Sequence, residues 1–168
     1  MTSQTPKTFH IFNNHKNQRT ISWEFKINKL IKKNYPKLIP DSDKPDVVIV
    51  LGGDGTIIEA SRKYHERGSV ILGLNLGHVG FLASVRKESN FLKALENLLN
   101  GKYEVLERMI ISAQVKRKNK IVFTSEALNE LVVKNPLGIV ELEAKVAGHP
   151  VKHVKGTGIL VSTATGST

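Results

Sequence analysis

The chain has 168 residues, 40% of them hydrophobic, enough for one ordinary domain or two small ones with a core. It has no cysteine, which excludes disulfides, thiolate metal ligands and cysteine catalysis and is compatible with a cytoplasmic protein. No apolar run approaches the roughly 18 residues of a membrane span, and residues 1–7 lack the apolar core of a secretory signal, so we expect no membrane partner.

The first hundred residues alternate between strand and helix patterns. Residues 9–12 form a short apolar strand, and apolar residues at helical spacing follow, with Thr20 or Ser22 as the N-cap and Pro36 as the stop. Residues 47–51 and 70–74 are apolar throughout, which is typical of parallel strands buried on both faces, and residues 57–65 between them are helix-like. A third helix has an apolar stripe over 91–99 with Gly101 at its C′ position. We therefore predict a small parallel α/β domain over residues 1–104.

Much of the formal net charge of +10 lies in this first part, where eight lysine and arginine residues from Lys7 to Lys37 face only Glu24. Three interpretations are open: a nucleic-acid surface, attraction of nucleotides, or a solvated helix face. Aromatic residues make up only 6% of the chain and do not alternate with the basic residues as a base-stacking surface requires. Nucleic acid is therefore the least favoured partner.

After residue 104 the pattern changes to alternation between apolar and polar residues. Residues 109–115 and 140–146 alternate in this way, residues 121–123 begin another strand, and turns are indicated at 116–120, 136–138 and 148–150. We predict an antiparallel β domain over residues 105–168. The predicted fold class is thus α/β, with a parallel-sheet domain followed by a largely antiparallel β domain.

The most informative segment is Gly52-Gly53-Asp54-Gly55-Thr56, which joins a buried strand to a helix. Such a turn exposes backbone N–H groups at a positive helix terminus, a geometry that suits phosphate. Asp54 beside phosphates needs a metal ion or a proton to act on, which favours phosphoryl transfer, and the Thr56 hydroxyl can donate to a phosphate oxygen. The alternative is an ordinary strand-to-helix turn with Asp54 as the N-cap.

Three further clusters follow in the chain. Residues 75–82, Asn-Leu-Gly-His-Val-Gly-Phe-Leu, come directly after the second buried strand, so we expect this loop beside Asp54, with Leu82 entering the core. The pair Asn129 and Glu130 has the side chains to bind sugar hydroxyls, and residues 162–168 are rich in hydroxyl groups. Each cluster alone is equally explained by a turn or by exposed polar residues.

Together the four clusters resemble the ATP-dependent NAD kinase family. The resemblance runs through G-G-D-G-T (52–56), N-x-G-x-x-G-F-L (75–82), N-E (129–130) and G-x-G…S-T-x-T-G-S-T (156–168). It implies transfer of a phosphoryl group from ATP, or from inorganic polyphosphate, to the 2′-hydroxyl of the adenosine ribose of NAD, with a divalent metal such as Mg²⁺. It also implies a homodimer or homotetramer.

The resemblance implies a role for each matching residue. Asp54 takes the base or metal role, and Gly53 and Gly55 approach the phosphates. Asn75 and Phe81 line the adenosine half of NAD, Asn129 and Glu130 bind hydroxyls of the nicotinamide-side ribose, and Thr168 lies near the adenine. Thr157 stands where family members have an aspartate, which removes a carboxylate from the nicotinamide side, and Ala164 replaces a customary proline.

Family chains continue well beyond the position that corresponds to Thr168, so we expect the β domain to be incomplete and this chain alone to have little activity. Two alternatives remain open at this point. A diacylglycerol or sphingosine kinase of the same superfamily shares G-G-D-G-T but not the later motifs. A nucleotide-binding or nucleic-acid-binding remnant without catalysis is consistent with the basic charge.

Overall fold

The computed structural model describes residues 4–14, 17–77 and 80–167, with the backbone alone at 151 and 152. The chain divides into two compact units, Met1–Glu107 and Arg108–Thr168. The first is a parallel sheet covered by helices, and the second consists of antiparallel strand pairs, so the predicted fold class is confirmed. No helix among the described residues is long and apolar enough to cross a membrane.

The first unit is built on a four-stranded parallel sheet of spatial order β2-β1-β3-β4. Its central strand β3 is apolar on both faces, as the sequence predicted, and the register pairs the last residue of β3, Gly52, with the last residue of β4, Asn75. The carboxyl ends of these two strands therefore lie side by side. The elements are β1 (Thr8–Phe12), α1 (Gln18–Asn34), β2 (Ile39–Pro40), β3 (Val47–Gly52), α2 (Asp54–Tyr64), β4 (Val70–Asn75) and α3 (Phe91–Leu99).

Alternate residues of β3 enter two separate apolar clusters. Val47, Ile49 and Leu51 pack with α1 and α3 on one face of the sheet. Val48 and Val50 pack with α2 on the other face, where Leu82 also packs against the cluster as expected. Fully burying one aliphatic side chain contributes about 1.5–3 kcal/mol. Because β3 is buried on both faces, its carboxyl end, where the glycine turn begins, is held by the core of the unit.

Three helix termini can be compared with the sequence predictions, and one of them differs. The N-cap of α1 is Asn17, not Thr20 or Ser22: the Asn17 side chain accepts the N–H of Thr20, and the Thr20 hydroxyl accepts the N–H of Asn17. Thr20 therefore completes a capping box as the third helical residue. The helix ends one residue before Tyr35 as Pro36 indicated, and α3 is followed by Gly101 with a φ of 70°, the left-handed conformation expected at C′.

The described residues of the second unit form three antiparallel strand pairs: β5 with β6, β7 with β10, and β8 with β9. The tight turns of the first and last pairs have positive φ at both central residues, Lys118 and Asn119 in one and Ala147 and Gly148 in the other, as twisted hairpins require. The strands are β5 (Ile111–Arg117), β6 (Lys120–Ala127), β7 (Glu130–Lys134), β8 (Val140–Val146), β9 (His149–Gly156) and β10 (Gly158–Ser162).

Two of the strand boundaries that we predicted for this unit were wrong. We expected a turn at 148–150, but β9 begins at His149, and Pro150 lies where the register of β8 and β9 shifts, which tolerates a residue without an N–H. The alternation that began at Met109 enters the strand only at Ile111. Many apolar strand residues of this unit are exposed, including Phe123, Val133 and Leu160, each more than half accessible.

Candidate functional site: two glycine-rich turns around Asp54

The first turn lies between β3 and α2 and contains a single non-helical residue, Gly53. We predicted the helix to start at Ile57, and instead it starts at Asp54 with Gly53 as the N-cap. The alternative role of Asp54 as N-cap is therefore wrong. Gly53 has no side chain to cap the helix, so the first backbone N–H groups of α2, which have no intrahelical partner, are left for another acceptor.

The Asp54 carboxylate is bound by the backbone of the second glycine-rich segment. It accepts the N–H of Phe81 at 2.7 Å and the N–H of Leu82 at 3.2 Å. Any side chain at Gly80 would overlap this carboxylate, so only glycine allows the close approach. Each carboxylate oxygen accepts one of these bonds and keeps a lone pair, which suits a further proton or a divalent cation.

The two turns also contact each other through their backbones. Leu76 donates its N–H to the Gly52 carbonyl at 3.3 Å, and a Cβ at Gly77 would lie 3.5 Å from the Gly53 Cα. Asn75 is buried, and its Oδ1 accepts the N–H of Gly77 at 3.0 Å, so this side chain shapes its own loop. The sequence indicated that residues 75–82 lie beside Asp54, and the described part of that segment does.

Open space surrounds two glycines of the first turn, Gly53 and Gly55. A Cβ built at Gly53 or Gly55 would have no neighbouring atom within 4 Å, and neither residue has a positive φ. The fold of the described residues therefore does not require glycine at either position. Thr56 is half-buried with its side chain against Gly52, and the Phe81 ring is 76% exposed at the rim. The open glycines leave room for a ligand to approach the helix terminus.

A residue that the sequence did not single out contacts the second turn. Arg19, in the first turn of α1, donates from Nη1 to the Leu76 carbonyl at 3.1 Å and from Nε to Glu88 Oε1 at 3.1 Å. The Trp23 indole N–H donates to the other oxygen of Glu88. The hydrogen bonds from Arg19 and Trp23 lower the pKa of the Glu88 carboxyl. In the sequence Arg19 was only one of many basic residues, and no motif marked it.

In the second unit, Asn129 lies in the turn between β6 and β7, and Glu130 is the first residue of β7. The buried Thr163 donates its hydroxyl to the Leu128 carbonyl at 2.6 Å, and its N–H donates to the Asn129 carbonyl at 2.8 Å. A Cβ at Gly166 would overlap the backbone of Asn129. The hydroxyl-rich segment thus packs directly against this pair, which the sequence alone did not place together.

The side chain of Asn129 has an unusual environment. Its Oδ1 is buried and has no hydrogen-bond partner among the described residues. A buried acceptor without a partner costs about 1–3 kcal/mol, so native proteins rarely leave one. An oxygen of this kind suits a ligand hydroxyl or amide that donates to it.

The remaining predicted residue that the structure describes in this unit, Thr157, does not lie at this pair. Thr157 is exposed at the far end of β7 and β10, where its carbonyl accepts the N–H of Asn135, whereas Glu130 pairs with Ser162 at the near end. At about 3.4 Å per residue the two ends are roughly 14 Å apart. Thr168 lies outside the described residues.

Comparison with known proteins connects these turns to a family. Residues 7–103 match the family model described as the ATP-NAD kinase N-terminal domain. A NAD kinase of Natranaerobius thermophilus is 44% identical over 126 residues, which cover 73% of this chain and 43% of that protein. The chain thus spans less than half the length of this relative.

Two solved structures have the same fold. A yeast NADH kinase complexed with NADH is similar with a TM-score of 0.86 at 18% identity, over 98% of this chain and 60% of that one. An NAD kinase from Archaeoglobus fulgidus in complex with ATP is similar with a TM-score of 0.69 at 20% identity, over 95% of this chain and 61% of that one.

Proposed function

The chain belongs to the ATP-NAD kinase family, and on that premise we propose that it transfers the γ-phosphoryl group of ATP to the 2′-hydroxyl of the adenosine ribose of NAD, which gives NADP. One observation carries the proposal: the open glycine turn at the N-terminus of α2, with the Asp54 carboxylate fixed at its first residue by two backbone N–H groups. A helix N-terminus attracts phosphate, and a fixed carboxylate beside it serves a hydroxyl nucleophile.

In this proposal the phosphates of ATP lie against Gly53 and Gly55, where no protein atom fills the space that a side chain would take. The Thr56 hydroxyl donates to a phosphate oxygen. Phosphoryl transfer depends mainly on positioning and on neutralising charge, and backbone N–H groups at a helix terminus supply both. The family name and the ATP complex of the Archaeoglobus relative support ATP as the donor, and inorganic polyphosphate is a second possible donor.

The Asp54 carboxylate accepts the proton of the 2′-hydroxyl as that oxygen attacks the γ-phosphorus and ADP leaves. A positioned general base of this kind contributes roughly 10²–10⁴-fold to a rate. The bonds from Phe81 and Leu82 hold the carboxylate in place without using all of its lone pairs. A divalent cation such as Mg²⁺, held by Asp54 and the phosphates of ATP, would supply charge neutralisation when bound.

The NAD side of the proposal follows the residues that the family resemblance suggests. Asn75 and Phe81 line the adenosine half, and the open rim at Phe81 offers an aromatic face for it. The unpartnered Oδ1 of Asn129, with the neighbouring Glu130, accepts hydroxyls of the nicotinamide-side ribose. Thr157 and Thr168 complete the set that the family resemblance suggests, near the nicotinamide side and the adenine respectively. The NADH complex of the yeast relative supports a nicotinamide dinucleotide as acceptor.

The proposal also covers the cellular location and the oligomeric state of the protein. We place it in the cytoplasm, a location with which the lack of cysteine is compatible. We also propose a homodimer or homotetramer, which the family resemblance suggests, and sedimentation equilibrium of the purified chain tests this. The lipid-kinase alternative is not favoured, because it shares only the first glycine motif and the family model matches residues 7–103.

The test compares the wild-type chain with Asp54→Asn, in a long incubation with NAD, ATP and Mg²⁺ at high protein concentration. NADP formation should fall at least 100-fold in Asp54→Asn, while the Kd for ATP measured without a divalent metal changes by less than about threefold. The matched control is Glu59→Gln, which removes the same charge from the exposed side of α2. Equal rates for wild type and Asp54→Asn, or no NADP from the wild type, would contradict the proposed transfer.

A further inference from the structure

The guanidinium of Arg19 connects two elements through its separate donors. Its Nε and Nη2 both donate to Glu88 Oε1, and its Nη1 donates to the Leu76 carbonyl at 3.1 Å. Only arginine has donors in a planar fork that can bind a carboxylate and a carbonyl at once. Arg19 therefore links helix α1 to the backbone of the second glycine turn.

The carboxylate that holds Arg19 is itself fixed. The indole N–H of Trp23 donates to Glu88 Oε2, and the Trp23 ring is buried against Phe91 with ring centroids 4.9 Å apart. The hydrogen bonds from Arg19 and Trp23 lower the pKa of Glu88, so its carboxylate stays ionised at neutral pH. The guanidinium is thus anchored to the apolar core of the first unit through Glu88 and Trp23.

The Leu76 carbonyl belongs to the same peptide group as the Gly77 N–H, and both ends of this group are held. The carbonyl accepts from Arg19, and the N–H donates to Asn75 Oδ1 at 3.0 Å. Rotation of the peptide plane would break both bonds. The peptide lies against the first turn, because a Cβ at Gly77 would be 3.5 Å from the Gly53 Cα and 3.7 Å from the Gly53 nitrogen.

The orientation of this peptide affects what the first turn can bind. Its carbonyl oxygen carries partial negative charge, which repels phosphate if it turns toward the open side of Gly53. We propose that Arg19 is a positioning residue that holds the Leu76 carbonyl toward α1, and so keeps the backbone beside Gly53 suited to the phosphates of ATP. The consequence for ATP rests on the proposed function, whereas the peptide orientation does not.

Stability alone is a poor explanation for this network. The side chains of Arg19 and Glu88 are 56% and 36% exposed, and ion pairs at such exposure add little to the free energy of unfolding. The pair instead fixes the direction of the Leu76 carbonyl, because Arg19 Nη1 donates to it. A readout of orientation therefore separates the proposed role from a merely structural one.

The first measurement is amide hydrogen exchange of the ligand-free chain in wild type, Arg19→Met, Arg19→Lys and the control Lys29→Met. Lys29 lies on the exposed side of the same helix, and its replacement removes the same charge. In Arg19→Met we expect the Gly77 amide to exchange at least tenfold faster, while the amide of Ile49, in the buried strand β3, changes little. Arg19→Lys should give an intermediate rate, since lysine keeps the charge but not the fork.

The second measurement is the Kd for ATP and for adenosine in the same four proteins. Arg19→Met should bind ATP about tenfold more weakly with little change for adenosine, because only the phosphates meet the first turn. Unchanged Gly77 exchange, or acceleration in step with Ile49, would overturn the positioning role. Faster Gly77 exchange with unaltered ATP affinity would overturn its link to phosphate. A wild-type chain that binds no ATP contradicts the proposed function, and the exchange data then decide the inference alone.

Discussion

The Asp54 carboxylate accepts the backbone N–H of Phe81 at 2.7 Å, a contact between residues 27 positions apart in the chain. It joins the first residue of α2 to the loop that follows β4. The loop can approach this closely because Gly80 has no Cβ. A carboxylate whose position is set by backbone donors cannot swing away from the helix terminus, and this preorganisation is what a base or a metal ligand needs.

Replacing Gly80 with alanine should separate the loop from Asp54. The new Cβ would overlap the carboxylate, so the bonds from Phe81 and Leu82 are lost or lengthened. We expect the free energy of unfolding to fall by about 1–3 kcal/mol, measured by urea denaturation. Gly53→Ala is the matched control, because its Cβ meets no atom within 4 Å. Equal stability of Gly80→Ala and wild type would show that the loop can relax away at no cost.

Replacing Gly55 with alanine should separate stability from binding. Gly55 is in the first turn of α2 with open space around it, so alanine should stabilise the helix by about 0.5–1 kcal/mol. If ATP phosphates lie against this backbone, the methyl group should weaken ATP binding about tenfold. Thermal unfolding and calorimetric titration of one preparation give both values. A raised Tm with unchanged ATP affinity would place the phosphates elsewhere.

Replacing Asn129 with leucine should preserve the second unit and remove a ligand contact. Asn129 Oδ1 has no partner among the described residues, so its loss breaks no hydrogen bond there, and we expect the free energy of unfolding to stay the same or to rise by up to about 3 kcal/mol. NAD should bind at least tenfold more weakly, as measured by calorimetry.

Thr163→Val provides the contrasting variant in the same unit. Its hydroxyl donates to the Leu128 carbonyl and accepts the N–H groups of Thr165 and Gly166, so we expect a loss of about 2 kcal/mol or more. If Asn129→Leu were as destabilising as Thr163→Val with NAD affinity retained, Asn129 would be a structural residue.

The Glu88 carboxyl should contribute a pH-dependent stability. Hydrogen bonds from Arg19 and Trp23 lower its folded pKa below the ordinary value of 4.5. A depressed folded pKa adds stability that is present above the unfolded pKa and is lost as pH falls through the folded pKa.

Urea denaturation from pH 6 to pH 3 should therefore show wild type more stable than Glu88→Gln at pH 6, with the difference shrinking below about pH 4.5. Asp41 also has a lowered pKa, caused by the N–H groups of Lys44 and Asp43, but it is present in both proteins and cancels in the comparison. A difference that stays constant across this range would argue against the ionised Glu88 as the source.

Much of the fold could be predicted because it depends on local periodicity. The unbroken apolar run of β3 indicated a strand buried on both faces, and both apolar clusters use it. The apolar stripe of α3 and Gly101 after it predicted a helix and its end. Helix starts were less predictable, because Asn17, Thr20 and Ser22 are all good N-cap residues and only the hydrogen bonds of the folded turn select Asn17.

The sequence by itself determined the glycine turn around Asp54, since strand, glycines and helix are adjacent in the chain and their patterns are short-range. Only the tertiary structure decided what surrounds that turn. Phe81 donates to Asp54 from 27 positions away, and Arg19 donates to Leu76 from 57 positions away. Thr163 donates to Asn129 from 34 positions away. Sheet register and helix packing set such distances, and no local pattern records them.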